Sequence, residues 1–183
     1  PGREHDVVDM ILSGPATGTR REAERFLGKG DTPERRVAFV HGAFRDSLEV
    51  INAAIHKYDP HHLNLGLRFG RKPGEAVIRM ASVFDVYSLN VYAYEPTEQL
   101  ELAHRLTGRP VLIGEFHIGV PANGLGAGLV QARDQSERGV AYRYYVEQAL
   151  ATPFAVGAHW FQWADQPPTG RMDGENYNIG FVD

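Results

Sequence analysis

The chain has 183 residues, 43% of them apolar and 23% charged, an ordinary composition for a single globular domain. Nineteen Lys and Arg against 23 Asp and Glu give a net charge of −4, without the concentrated positive charge that a nucleic-acid partner requires. The sequence has no Cys, which excludes disulfides, thiolate nucleophiles and Cys-ligated zinc, and no apolar run approaches the ~18 residues of a membrane-spanning helix.

Residues 1–31 are polar and punctuated by Gly, with one helix predicted near Arg20–Leu27. The opening ten residues lack the basic-then-apolar order of a secretory leader, which leaves the compartment open, a secreted or periplasmic parent included. The first strong element follows. Thr32 caps a helix, Pro33 suits its first turn, and Glu34 complements its dipole. Val37, Val40, Phe44, Leu48, Ile51, Ile55 and Tyr58 recur at spacings of three and four, predicting one buried stripe that ends at Asp59-Pro60.

Strand-like runs are predicted at 62–69, where Leu63, Leu65 and Leu67 alternate, and at 83–92, rich in β-branched and aromatic residues. A short helix opens at Pro96 and ends at Gly108. Val111-Leu112-Ile113 then leads as a third strand into Gly114-Glu115-Phe116. A Gly-rich segment, Asn123 to Gly128, precedes a helix from about Asp134 to Ala151, and a last strand is predicted over 154–163. Strands alternating with helices imply βαβ units and a parallel sheet. A (β/α)8 barrel takes ~250 residues, so four strands here predict a (β/α)4 half of a TIM barrel. Residues 32–183 form that half-barrel, with 1–31 a polar, helical lead-in. Such a half leaves sheet edges and a core face uncovered, and the sequence therefore predicts self-association, most simply as a twofold dimer.

Each predicted strand ends in polar or aromatic residues: Arg68, then Asn90 and Tyr92, then Glu115 and His117, then Trp160, Gln162 and Trp163. In parallel α/β folds that edge holds ligands. A carboxylate following three aliphatic residues and a Gly has no core role. Glu115 is solvated, pairs with Arg68, or does chemistry.

Four segments carry a family resemblance: 58–69 (YDPHHLNLGLRF), 85–92 (DVYSLNVY), 109–116 (RPVLIGEF) and 156–165 (VGAHWFQWAD). Together they resemble the last four strands of clan A retaining glycoside hydrolases. The closing GRMDGENYNIG (170–180) is most similar to agarase and β-galactosidase-like members, and the match spans roughly residues 34–183. The resemblance implies hydrolysis of β-glycosidic bonds in a galactose-containing polysaccharide, with Glu115 as the nucleophile that forms a glycosyl-enzyme intermediate. It implies that Tyr92 hydrogen-bonds that nucleophile and that Trp160 is a platform for the apolar face of a sugar. Arg68, Asn90, His117, Gln162, Trp163, Asp165, Glu175 and Asn176 are then candidates for binding sugar, although any of them also suits a local structural role.

The family carries its acid/base in an Asn-Glu pair ending the fourth barrel strand, and no Asn-Glu pair precedes the long helix. The alternative is therefore a non-catalytic carbohydrate-binding half-barrel or a truncated piece. No cofactor or metal is expected. His61 and His62 are adjacent on a predicted strand and point to opposite faces, with no third ligand at helical spacing. The G-x-G-x-G of 124–128 lacks the Lys-Ser/Thr of a phosphate loop and reads as a mobile loop over the site.

Overall fold

The computed structural model describes residues 2–182. Its contacts divide the chain into two compact units, one of residues 1–62 with 73–83 and one of 63–72 with 84–183. The sequence boundary at 31/32 falls inside the first.

The first unit is helical: α1 (Glu4–Ser13), α2 (Gly18–Leu27), α3 (Pro33–Tyr58) and the short α4 (Glu75–Met80), which runs into a 3-10 turn at Ala81–Val83. Thr17 and Thr32 cap α2 and α3 through their side-chain oxygens, satisfying an otherwise unpaired amide in each first turn. The core here is small, with Val8, Ala23, Leu27 and Phe39 buried together. Helix α1 was not expected, because a stretch with one fully buried residue has too little apolar periodicity to announce itself. The seven-position stripe of α3 is corrected as well. Of those positions only Leu48 is buried, and Ile51 and Tyr58 are 43% and 80% exposed. Helices α1 and α2 pack on α3, as do α4 and the 3-10 turn, yet Ile51 and Ile55 stay partly exposed.

The second unit holds one parallel sheet in sequential order: β1 (Arg68–Phe69), β2 (Tyr87–Asn90), β3 (Val111–Phe116) and β4 (Ala155–Trp160). Helix α5 (Thr97–Thr107) joins β2 to β3, and α6 (Gln135–Ala151) joins β3 to β4. Gly108 ends α5 in the left-handed conformation, as its position predicts. The strands expected over 62–69 and 83–92 are much shorter than predicted. Gly66 adopts φ +75, and a Cβ there would lie 2.9 Å from the Phe84 ring, so the chain bends and the alternation of Leu63, Leu65 and Leu67 never becomes a strand. Those three Leu are 38–70% exposed.

Central strand β3 is buried at Val111, Leu112, Ile113, Gly114 and Phe116. Phe116 stacks on Tyr145 of α6 at 4.1 Å, and the Tyr145 hydroxyl donates to the Val91 carbonyl at 2.9 Å. One side chain thus bolts the helix to the end of β2. Tyr145→Phe leaves that carbonyl without its donor in a buried setting and is expected to cost about 1–3 kcal/mol by chemical denaturation, with the fold retained.

Candidate active site

The site is built around a register shift. Leu89 lies opposite Ile113, but the next residue, Asn90, lies opposite Glu115, so Gly114 is an extra residue in β3. The same offset appears on the other side, where Ile113 faces Ala158 and Phe116 faces Trp160. Such a bulge re-aims the residues beside it. Gly lets the Arg68 stem lie against the strand, because a Cβ at 114 would sit 2.3 Å from Cδ of Arg68 and 3.2 Å from Oδ1 of Asn90.

Three donors from two other strands converge on the Glu115 carboxylate. Asn90 Nδ2 and the Tyr92 hydroxyl each donate to Oε2 at 2.6 Å, and Arg68 Nη2 pairs with Oε1 at 2.8 Å. The carboxylate side chain is only 13% exposed, whereas that of Arg68 is 55% exposed. Solvent screens a pair with so open a partner, so its contribution to stability is ~0–1 kcal/mol and its effect is mainly orientation. Burial, reinforced by the bond to Glu115, pushes the Tyr92 phenol well above the ordinary tyrosine range, so it stays a proton donor. Beside these groups opens a cavity of about 500 Å³, whose wall includes Asn90, Tyr92, Lys72, Gln99 and Leu129.

Arg68, Asn90, Tyr92 and Glu115 are therefore brought together as one cluster. His117 lies next to them but not on the cavity wall. It is 2% exposed, and its Nε2 accepts the Leu129 amide at 2.9 Å. Trp160 is placed among Phe116, Tyr142 and Phe181, stacked on Phe181 at 5.0 Å, with its indole N–H donating to the Ile179 carbonyl. Trp163 is 69% exposed, and Gln162 donates to the Ala164 carbonyl. Asp165 accepts from the Asn178 side chain and the Gly180 amide, which ties the closing segment down. Glu175 takes a bond from Gln166 and an ion pair from Arg171, while the Asn176 carbonyl accepts the Gly126 amide.

Sequence reasoning missed the residues that hold this frame. Buried Arg138 donates to the carbonyls of Ile179 and Gly180, and Gln166, 1% exposed, brackets Tyr177 with both backbone and side chain. Neither carries a local signal, since the backbone groups that these side chains meet lie eleven or more residues away. The loop expected to be mobile is instead tied at Gly126 to Asn176 and Asn178 and at Gly119 to Val130 and Ala132. Among the described residues no group of three His, Asp or Glu is arranged to hold a metal.

No family model matches the chain. It is 41% identical over 141 residues to β-agarase B of Vibrio sp. (strain JT0107), a stretch covering 74% of this chain and 15% of that protein. β-Agarase A of the same organism is 37% identical over 176 residues, covering 82% of this chain and 17% of that protein. A crystal structure of an agarase superposes with a TM-score of 0.78 at 34% identity, over 94% of this chain and 28% of the other. The fold is half of a glycoside hydrolase (β/α)8 barrel. Within that class the chain is a relative of the β-agarases, and it spans less than a fifth of the length of the curated relatives it matches.

Two outcomes follow from the geometry. Gly114→Ala is expected to drive Arg68 off Glu115, since the added methyl occupies the Arg68 stem, and a crystal structure of the variant checks this. Burial holds the His117 imidazole down to about 4, below its ordinary 6.5. An unfolded chain therefore binds the extra proton first, so His117 contributes stability that is full above pH 6.5 and is lost as pH falls toward 4. The loss is on the order of 3 kcal/mol. Denaturation across that window should be flatter in His117→Gln than in the parent.

Proposed function

We propose that this chain carries the nucleophile half of a retaining β-glycosidase acting on agar-type galactans. The observation that carries the reading is the convergence of Arg68, Asn90 and Tyr92 on one nearly buried carboxylate at the C-terminal edge of a parallel sheet. Agarase relatives at 34–41% identity support the substrate class.

The chemistry divides between the two oxygens of Glu115. Oε2 is taken up by two donors that fix the plane of the carboxylate. Oε1 meets only the half-exposed Arg68 side chain, so Oε1 is the oxygen that attacks the anomeric carbon while the glycosidic oxygen leaves with its bonding pair. Water then displaces Glu115 from the same carbon, giving up one proton to the base or to solvent, and restores the carboxylate. A proton for the leaving oxygen has to come from a second carboxyl ~5–5.5 Å away in a retaining site. The groups bonded to Glu115 itself are Arg68, Asn90 and Tyr92, which fix the carboxylate and supply no acid. The second reading is a half-barrel that binds galactan without cleaving it. Asn90 orients the nucleophile in the first reading; Gln99 and Lys72 line the space for the sugar.

The test uses an aryl β-galactoside whose leaving group departs without a proton, alongside agaro-oligosaccharides. Turnover of the aryl substrate that falls by ~100-fold or more in Glu115→Gln supports the nucleophile assignment. Equal turnover in both proteins overturns it. Binding of agaro-oligosaccharide with no turnover of either substrate favours the second reading.

A further inference from the structure

We infer that His117 is a positioning residue, a buried strut that fixes both the Tyr92 donor and the Leu129 rim of the cavity. Its meaning for catalysis rests on the assignment of Glu115 as nucleophile; the strut itself is a matter of geometry.

His117 follows directly after β3, two residues beyond Glu115. On one side its ring packs against the ring of Tyr92, with centroids 4.7 Å apart, and Tyr92 in turn donates to Glu115. On the other side Nε2 accepts the backbone N–H of Leu129 at 2.9 Å. The loop lies so close that a Cβ at Gly128 would come within 2.6 Å of Nε2, and Gly128 adopts φ +77, a conformation that L side chains rarely adopt. Leu129, held by this contact, lines the same cavity as Asn90 and Tyr92. The rings of Phe161 and Tyr177 stand at 6.3 Å and 6.1 Å on the remaining sides.

A histidine that binds sugar presents a ring nitrogen to the ligand. Neither nitrogen of His117 is available. Nε2 is occupied by the Leu129 amide, which places the proton on Nδ1, and Nδ1 is buried facing the Phe161 backbone. The residue thus works as an acceptor and a flat aromatic surface, in its neutral form. A proton on Nε2 would set two donors against each other and release the loop. The groups that face it are few: the Phe161 backbone favours a proton on the ring, Arg138 of α6 disfavours it, and Tyr92 is a neutral donor.

The experiment is amide hydrogen exchange on the full chain, comparing the parent with His117→Leu, which keeps bulk and loses the acceptor, and His117→Gln, which keeps an acceptor at similar reach. His117→Leu is expected to speed exchange at Leu129 by about tenfold, the worth of one hydrogen bond, while the Val91 amide bound to Glu115 stays protected. His117→Gln should restore most of the Leu129 protection. Unchanged exchange at Leu129 in His117→Leu overturns the strut, and so does loss in His117→Gln equal to that in His117→Leu. If His117→Leu loosens the whole sheet, the Gln variant and Gly128→Ala decide: the former is expected to stay folded with Leu129 protected, the latter to lose that protection selectively. Exchange needs no turnover, so this result stands apart from whether Glu115 is a nucleophile. Where the aryl galactoside is hydrolysed, His117→Leu should lower kcat and His117→Gln should recover it.

Discussion

One extra residue in β3 governs the rest of the site. Without the bulge at Gly114, Asn90 would face Gly114 across the ladder and the carboxylate would have no partner at its level on β2. With it, Asn90 stands opposite Glu115, the Val91 amide reaches the Glu115 carbonyl, and the gap left by the missing Cβ is filled by the stem of Arg68. A strand that is otherwise buried along its length thereby ends in an anion with donors on both oxygens. The irregularity in the backbone and the polarity of the site have one cause.

The remainder of the second unit serves to hold this edge still. Tyr145 bolts α6 to the Val91 carbonyl, and Phe116 stacks beneath it. The closing segment is tied by Asp165 from one side and by the buried guanidinium of Arg138 from the other. The buried guanidinium is tolerated because it meets backbone carbonyls of matching polarity. The apolar patch of Ile118, Val120, Val130 and Ala132 seats the loop that an open, Gly-rich sequence suggested would move. Glycine here marks close approach, not freedom, as Gly119 shows: a Cβ there would meet the Ala127 carbonyl oxygen at 2.1 Å.

How much the sequence disclosed depends on whether a residue acts locally. Arg68, Asn90, Tyr92 and Glu115 sit at strand ends, where an unexpected polar residue after an aliphatic run is legible, and the structure brings all four together. Period-two alternation put His117 on the face of Glu115, and just past the last residue of β3 its ring packs against Tyr92, a donor to that carboxylate. Trp160, read as a surface for sugar, packs among Phe116, Tyr142 and Phe181 and also lines a cavity of about 230 Å³ with Gln135, Arg138 and Gly180. Arg138 was opaque for a different reason: the carbonyls it meets lie forty-one and forty-two residues away. The over-long predicted strands have the same origin, since Gly66 turns against Phe84, a contact that no pattern within 62–69 contains.

Strand β1 has only two ladder pairs, Arg68 with Ser88 and Phe69 with Leu89, and lies at the rim of the sheet. The three donors to Glu115 are consequently unequal in how firmly the fold owns them. Two are anchored in β2 and its continuation, next to the central strand, and leave only when the sheet itself opens. The third rides on the shortest strand, where local opening requires the loss of fewest bonds. Fraying at that rim strips the carboxylate of its cation while leaving its two neutral donors in place, so the charge balance of the site is set by the least tethered part of the sheet.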